Sequence, residues 1–281
     1  MFEKIVVPLN GLPSAEVAIA PAAELARQHG GELHYVSVVG TGVEAITGYV
    51  TKIDADLVVM ATHGRTGWRH AWAGSMADDL LRTLNGRLLL VRIGDADAGP
   101  AAGYRRILVG LDGSSVAERA LEGALAVARA AHSTIVLARV VTPLPGKFHH
   151  GLDSSMIIID NAVTHPLLEK AQRYLDDIAD RIRREDGLEV ETVVGCVAGS
   201  SPRSAAARQL AAIVREQDID LVSLTTRKRG ASRLLLRSVA DRVLSDTQCA
   251  LLLCGGRAAF AERELWYQEP ATSVGNHLTM R

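Results

Sequence analysis

Two short apolar segments decide the fold of this chain: residues 5–11 read IVVPLNG, and residues 107–113 read ILVGLDG. Each is followed by a helix-forming stretch, and the similarity extends without a gap over residues 2–39 and residues 104–141. An internal similarity of this length indicates a duplicated folding unit. The chain of 281 residues has room for two such units, at roughly 150 residues per domain.

The second copy of the repeat is longer than the first. The similarity resumes at residues 56–58 against residues 220–222, and the offset between the copies grows from 102 to 164 residues. The extra segment of about 62 residues contains a predicted helix over residues 166–184 and a predicted strand over residues 188–194. We therefore predict that the first copy lacks one helix–strand unit, which leaves one flank of its sheet in need of another partner.

Short apolar runs alternate with helix-length amphipathic stretches in both copies. Residues 5–9 and 107–111 are continuously apolar, which is typical of strands buried on both faces of a parallel sheet. The Ala-rich stretches over residues 14–29 and 116–131 predict helices that pack closely on that sheet. The alternation predicts α/β units with parallel, doubly wound sheets. The other strands are predicted at residues 33–39, 57–60, 87–93, 135–141, 221–224 and 250–254.

The domain boundaries follow from the duplication and from local composition. We assign a first domain to residues 1–94, a linker to residues 95–103, a second domain to residues 104–255 and a tail to residues 256–281. The linker consists mostly of small and turn-forming residues. We expect the tail to cover the flank that the missing unit leaves open, because it carries large apolar side chains. These are Phe260, Leu265, Trp266 and Tyr267.

Composition and charge exclude several classes of function. With 48% hydrophobic and 22% charged residues, the chain can bury a large core and is not disordered as a whole. The formal net charge of −1 removes whole-molecule steering toward nucleic acid or an anionic membrane. No apolar run reaches the roughly 18 residues of a membrane helix, and the three cysteines suit neither a disulfide framework nor a metal site. We expect a cytoplasmic protein with no membrane partner.

The sequence lacks the motifs of several enzyme classes. It contains no Gly-x-Ser-x-Gly elbow and no Walker-A Gly-Lys-Ser/Thr, and no candidate nucleophile is paired with a base. We therefore predict no catalytic residue and no protein-bound metal. Five cations lie between Arg227 and Arg237 without interleaved aromatic residues for base stacking, so a solvated helix face is favoured over nucleic-acid binding.

A glycine-rich loop follows the third apolar run of the first copy. Residues 61–75 read ATHGRTGWRHAWAGS and lead into a predicted helix that begins near Ser75. The carboxyl end of a parallel strand is where open α/β sheets bind ligands. Gly64 and Gly74 permit close backbone approach, the helix N-terminus at Ser75 favours a phosphate, and Arg65 adds a positive charge. A turn with an ordinary helix cap is the alternative interpretation of the same residues.

These motifs resemble those of the universal stress proteins, here in tandem form. The resemblance covers nearly all of residues 2–255 and is carried by DGS at residues 112–114, DLVVMATHGR at residues 56–65 and GSMADDLL at residues 74–81. It implies two Rossmann-like (adenine nucleotide alpha hydrolase-like) domains that pair their last strands as an intrachain pseudo-dimer. It also implies binding of ATP or AMP, with Mg²⁺ if ATP is the ligand, and a role in stress adaptation through protein partners.

The resemblance also implies which residues contact the nucleotide. ATP-binding members carry G-x-x-G, nine residues, then G-[S/T], and this chain keeps that spacing with alanine at the first glycine. Phosphate contacts are implied for the loop and its helix start, and base or ribose contacts for the ends of the first two strands. The implied nucleotide-binding residues are Asn10, Val38, Ala61, Gly64, Arg65, Gly74 and Ser75, with Asp112 in a degenerate second site.

The second copy departs from the motif. Its loop, residues 225–238, is one residue shorter and has lost the glycines that match Gly64 and Gly74. The aspartate after the first strand is kept in the copy that has lost the glycines: it is Asp112 in the second copy and is replaced by Asn10 in the first. We therefore predict that nucleotide binds through the first domain only.

The sequence leaves three functions open. The first is a regulator that binds ATP or AMP and acts through protein partners, as a pseudo-dimer that can associate further into a homodimer. The second is an interaction module of the same fold that binds no nucleotide, which Asn10, Ala61 and the altered second loop favour. The third is a weak ATPase, although the sequence offers no evident general base.

Overall fold

Nine strands and the helices around them make up the part of the chain that the computed structural model describes. That part comprises residues 1–37, 43–63, 80, 86–93, 103–142, 161–197, 202–225, 239–240, 242–243 and 245–255. The strands are β1 (Lys4–Leu9), β2 (Glu32–Ser37), β3 (Leu57–His63), β4 (Arg87–Ile93), β5 (Arg106–Gly110), β6 (Thr134–Val141), β7 (Val190–Cys196), β8 (Leu221–Thr225) and β9 (Ala250–Cys254). The helices are α1 (Pro13–Glu16), α2 (Ile19–His29), α3 (Val43–Ile53), α4 (Ser115–Ala131), α5 (Asn161–Asp186) and α6 (Pro202–Glu216).

The nine described strands form one sheet, in the order β2-β1-β3-β4-β9-β8-β5-β6-β7. Neighbouring strands are parallel except at the pair β4–β9. In each half the first strand lies in the middle, with β1 between β2 and β3, and β5 between β6 and β8. This order confirms the predicted α/β class, with two Rossmann-like, doubly wound domains in tandem.

The two halves join through their last strands, as the resemblance implied. Strands β4 and β9 pair in antiparallel fashion, with Leu88 opposite Leu253 and Leu90 opposite Leu251. At the centre of this ladder Leu89 faces Leu252, which is its own counterpart in the second copy. A pseudo-two-fold axis therefore passes through this pair, and the intrachain pseudo-dimer is confirmed.

The sheet separates two core layers because successive side chains of a strand point to opposite faces. Ile5 and Val7 of β1 belong to the layer that holds α2, α4 and α5, whereas Val6 belongs to the layer that holds α3 and α6. All three side chains are fully buried. Burial on both faces explains why the central strands are continuously apolar in sequence.

The second half contains the helix–strand unit that the first half lacks. Strand β7 pairs with the outer edge of β6, and Tyr174, Leu175 and Ile178 of α5 are buried against the sheet. Within the described residues β2 is an edge strand, since its partner is β1 alone. Tyr35 of β2 is 52% exposed, whereas its counterpart Leu137 in β6 is fully buried. In the described residues α3 is the next element after β2, and the tail expected to cover this edge lies outside those residues.

The predicted helix over residues 14–29 is divided into α1 and α2, with a turn at Val17 and Ala18. The cause is Pro21, whose nitrogen cannot donate to the carbonyl of Val17 and whose ring would clash with it. The second copy has Gly123 at the matching position, and its helix α4 is continuous. The prediction of one helix was therefore wrong for the first copy.

The inserted helix and strand are displaced from their predicted bounds. Helix α5 begins at Asn161 rather than at Pro166, and β7 spans Val190–Cys196 rather than residues 188–194. Proline favours the first turn of a helix, so the sequence predicts that the helix begins at Pro166. The helix instead contains Pro166, which leaves the carbonyl of Ala162 without its usual donor four residues on.

Glu191→Gln should lower the free energy of unfolding by about 0.5–1 kcal/mol at pH 7. Both Nη atoms of Arg106 donate to the Glu191 carboxylate, at 2.9 and 2.8 Å, and this hydrogen bonding holds the pKa of Glu191 below its usual value. A depressed pKa in the folded state adds stability above the unfolded pKa of about 4.3 and loses it as pH falls through the folded value. In urea unfolding, the difference in the free energy of unfolding between the wild type and Glu191→Gln should therefore shrink below about pH 4. A constant difference at acidic and neutral pH, or an equal loss in the exposed control Glu16→Gln, would contradict this.

Candidate functional site

In each half the ladder between the two central strands ends before the strands do, at the carboxyl edge of the sheet. The ladder between β1 and β3 ends at Val6–Val58, although β1 continues to Leu9. The ladder between β5 and β8 ends at Val109–Ser223, one residue before β5 ends. In both halves the strand order reverses between these two strands, and such switch points are where doubly wound sheets bind ligands.

The turns after β1 and β5 are built alike. Oδ1 of Asn10 accepts a hydrogen bond from the backbone N–H of Leu12 at 3.1 Å, and Oδ1 of Asp112 accepts one from the N–H of Ser114 at 2.9 Å. Gly11 and Gly113 between them have φ of +76° and +85°, which favours glycine. An amide oxygen therefore serves this turn as well as a carboxylate oxygen does, but only Asp112 brings a negative charge.

The two helices that follow these turns are capped differently at their N-termini. Ser114 caps α4, because its Oγ accepts a hydrogen bond from the N–H of Ala117 at 3.2 Å. Ser114 Oγ also donates to Asp112 Oδ1 at 2.5 Å. In the first half Leu12 occupies the cap position and offers no side-chain acceptor. The turn that carries Asp112 is thus held more firmly than the turn that carries Asn10.

A cavity of about 180 Å³ opens at the crevice of the second half. Its walls come from the ends of β5, β6 and β8, from the turn after β5, from α4 and α6 and from the helical residue Val239, and most of the lining residues are apolar. Asp112 is an exposed polar group among the lining residues. The lining residues are Gly110, Leu111, Asp112, Ala117, Ala138, Val140, Ala206, Leu210, Leu224, Thr225 and Val239.

Small side chains create this cavity. A Cβ on Gly110 would lie 2.6 Å from Cδ2 of Leu224, so the glycine lets that leucine lie against the end of β5. Ala138 of β6 and Ala206 of α6 face the same space with a single methyl group each. Larger residues at these positions would fill the space that a ligand needs.

Of the predicted nucleotide-binding residues, the structure describes Asn10, Ala61 and Asp112. Val38 and the loop residues Gly64, Arg65, Gly74 and Ser75 lie outside the described residues. Ala61 belongs to β3, which continues three residues beyond the predicted strand 57–60 because β4 pairs with it as far as His63–Ile93. Asn10 and Ala61 thus both stand at the carboxyl edge of the first half, at the ends of adjacent parallel strands.

Apart from Asp112, the residues that line the second-half cavity were not predicted from the sequence. Val140 is the counterpart of Val38, 102 residues later, and Asp112 is the intact form of the position held by Asn10. These two matches could have pointed to a formed pocket in the second copy.

A buried polar group lies behind the Asp112 turn. The hydroxyl of Tyr174 donates to Oε1 of Glu118 at 3.0 Å, and both residues are almost completely buried. Burial, followed by the Glu118 carboxylate, raises the pKa of Tyr174, so the phenol keeps its proton. The guanidinium carbon of Arg139 lies 5.0 Å from the centre of the Tyr174 ring, which is a cation–π distance.

Among the described residues, no three His, Cys, Asp or Glu side chains are grouped closely enough to hold a metal ion. Burial raises the pKa of the Cys249 thiol to about 11, so this cysteine is protonated near neutral pH. In the part of the chain that the structure describes, no helix is long and apolar enough to cross a bilayer.

The strand order and the paired last strands define a tandem, doubly wound α/β protein. The model of the universal stress protein family matches residues 35–92 and 103–255. The chain therefore belongs to the universal stress protein family. No curated protein sequence matches it.

Solved structures of universal stress proteins resemble the chain over one half or over both. A universal stress protein from Archaeoglobus fulgidus matches at 14% identity, covering 91% of this chain and 97% of that chain, with a TM-score of 0.57. A family member from Burkholderia pseudomallei is 29% identical and covers 53% of this chain and 95% of that one, with a TM-score of 0.39. An Arabidopsis thaliana family protein with AMP bound is 15% identical over 55% of this chain and 93% of that one, with a TM-score of 0.35. The first match supports the tandem fold over nine-tenths of the chain.

Proposed function

We propose that the chain binds adenine nucleotides and acts as a regulator in stress adaptation through a protein partner. The observation that carries this proposal is the apolar cavity at the carboxyl edge of the second half, with Asp112 among its lining residues. An apolar slot with a few polar groups is the usual form of a small-molecule site, and a switch point is its usual place. Membership of the universal stress protein family supports adenine nucleotide as the ligand class.

The size of the cavity suits a nucleobase better than a whole nucleotide. Sites that enclose drug-sized ligands measure roughly 300–1,000 Å³, whereas this cavity measures about 180 Å³. We place an adenine ring between Val140, Leu210 and Leu224, with the ribose hydroxyls donating to the Asp112 carboxylate. Because a carboxylate repels nearby phosphates, the second half then favours the uncharged part of the ligand.

The first half is the proposed site for the phosphates of ATP or AMP. Gly64 and Gly74 allow the backbone to approach the phosphates, and Ser75 and Arg65 add a hydroxyl and a positive charge. Asn10 can hydrogen-bond to the sugar or base without repelling a phosphate. We thus propose two separate sites: a complete site for ATP or AMP, phosphates included, in the first domain alone, and a pocket for an adenosine group without phosphate contacts in the second.

Gly74→Lys should weaken ATP binding about tenfold, because a side chain at this glycine prevents close approach of the backbone to the phosphates. The measurement is calorimetric titration of purified protein with ATP, AMP and adenosine. Gly67→Lys is the matched control, since it adds the same charge to the same loop at a position outside the motif, and it should bind ATP at least as well as the wild type. Equal ATP affinity in the wild type and Gly74→Lys would overturn the loop assignment.

A nucleotide-free interaction module is the second candidate. It is favoured by the turn after β1, which Asn10 completes as an amide without any need for a ligand. Wild-type protein that binds neither ATP nor AMP nor adenosine at millimolar concentration would overturn nucleotide binding and support this candidate.

A further inference from the structure

The turn that carries Asp112 is supported from the face of the sheet opposite to the cavity. Ala138 and Val140 of β6 line the cavity, and Arg139 between them points to the other face because side chains alternate along a strand. A Cβ built on Gly113 would lie 2.8 Å from Nη2 of Arg139 and 3.0 Å from its guanidinium carbon. The guanidinium therefore packs directly against the backbone of the turn.

Tyr174 holds this guanidinium from behind. Its ring lies 5.0 Å from the guanidinium carbon, and its hydroxyl is fixed by the hydrogen bond to Glu118 on α4. Tyr174 is 1% exposed, so its ring has little freedom to move. The half-buried Arg139 guanidinium thus lies between the buried Tyr174 ring and the backbone of the Asp112 turn.

The first half is a natural comparison, because it has the turn without the support. Its counterpart of Arg139 is Ser37, and its counterpart of Glu118 is the exposed Glu16. The unit that would supply a counterpart of Tyr174 is missing, and the helix after the turn is broken into α1 and α2. The contact of Tyr174 with Arg139 therefore depends on α5, which belongs to the helix–strand unit of the second half.

We infer that Arg139 is a positioning residue for the second-half site: it holds the turn so that the Asp112 carboxylate is set at the cavity before a ligand arrives. This inference rests on the proposed binding of an adenosine group there. A group that is already fixed loses less conformational freedom on binding, which strengthens the complex. The inserted unit accordingly contributes to ligand binding without contacting the ligand.

Arg139→Ser, which installs the residue of the first half, tests the inference. The amides of Ser114 and Ala117 bond to the Asp112 and Ser114 side chains, so they report the state of the turn. We expect both amides to exchange with deuterium about tenfold faster in the variant, and its adenosine affinity to fall about tenfold. Arg129→Ser is the matched control, since it removes another arginine that contacts α5, through Asp186 at 2.6 Å, at a position of α4 that is far from the turn in sequence.

Two further variants distinguish the loss of the guanidinium group from a general loss of folding. Arg139→Met keeps the aliphatic stem and removes the guanidinium, so it replaces Arg139→Ser if that variant does not fold. Arg139→Lys keeps the charge without the planar group and should restore part of the adenosine affinity. If the wild type binds adenosine and Arg139→Ser or Arg139→Met binds it equally well, the inference is overturned. If the wild type does not bind adenosine at all, the proposed second-half site fails instead, and the inference fails with it.

Discussion

Leu252→Ala should lower the free energy of unfolding by about 2–5 kcal/mol. Leu252 is 1% exposed and lies opposite Leu89, also 1% exposed, at the centre of the only antiparallel ladder among the described strands. Cδ2 of Leu252 also approaches Gly123 of α4, where a Cβ would lie 3.0 Å away. A shortened side chain would leave a cavity that neither strand can close, because both are fixed by neighbours on their other sides. Urea unfolding followed by circular dichroism measures the loss.

Two controls test whether the loss of stability is specific to tight packing at the junction between the halves. Leu252→Met conserves volume and should cost less than about 1.5 kcal/mol. Leu33→Ala removes a partly buried leucine from the edge strand β2, where less apolar surface is lost, so it should cost less than Leu252→Ala. A loss at Leu252 no larger than the loss at Leu33 would contradict a tightly packed junction between the halves.

Much of the fold could be predicted because its strands are short apolar runs with clear ends. Strands β4 and β9 begin and end at the predicted residues. Strand β4 begins at Arg87, which precedes the apolar run LLLV, and β9 is an apolar run that ends before Gly255. The break at Val17 could not be read from the Ala-rich pattern or from the duplication, because α4 has no proline at the matching position. One backbone nitrogen at Pro21 outweighed the propensity of the alanines around it.

The place of the candidate site could be predicted, but its shape could not. Parallel strands that end at one edge place Asn10 and Ala61 at the same edge in one half, and Asp112 and Thr225 around the cavity in the other. The cavity, in contrast, depends on the sizes of side chains from several elements, among them Ala206 and Leu224, which are far apart in sequence. The contact of Arg139 with Tyr174 was equally hidden, because Tyr174 has no counterpart in the first copy.

Val140→Trp should reduce adenosine affinity at least about 100-fold, a loss of about 2.7 kcal/mol. Val140 is half-buried in the wall of the cavity, and an indole there would occupy the space that the proposal gives to adenine. A cavity of about 180 Å³ cannot hold both ring systems. The proposed phosphate site of the first half does not depend on this residue, so ATP binding through that half should persist. Calorimetric titration with adenosine and with ATP measures the two effects in one protein.

The controls for this variant distinguish a filled cavity from a disturbed fold. Val140→Ile adds one methylene group to the wall and should keep most of the adenosine affinity. Arg208→Trp places the same indole on an exposed position of α6 that does not line the cavity, and should leave binding unchanged. If Val140→Trp folds and binds adenosine as tightly as the wild type does, the ligand does not enter this cavity. If it loses ATP along with adenosine, the two halves do not bind independently, because a substitution confined to the second half has then removed binding in the first.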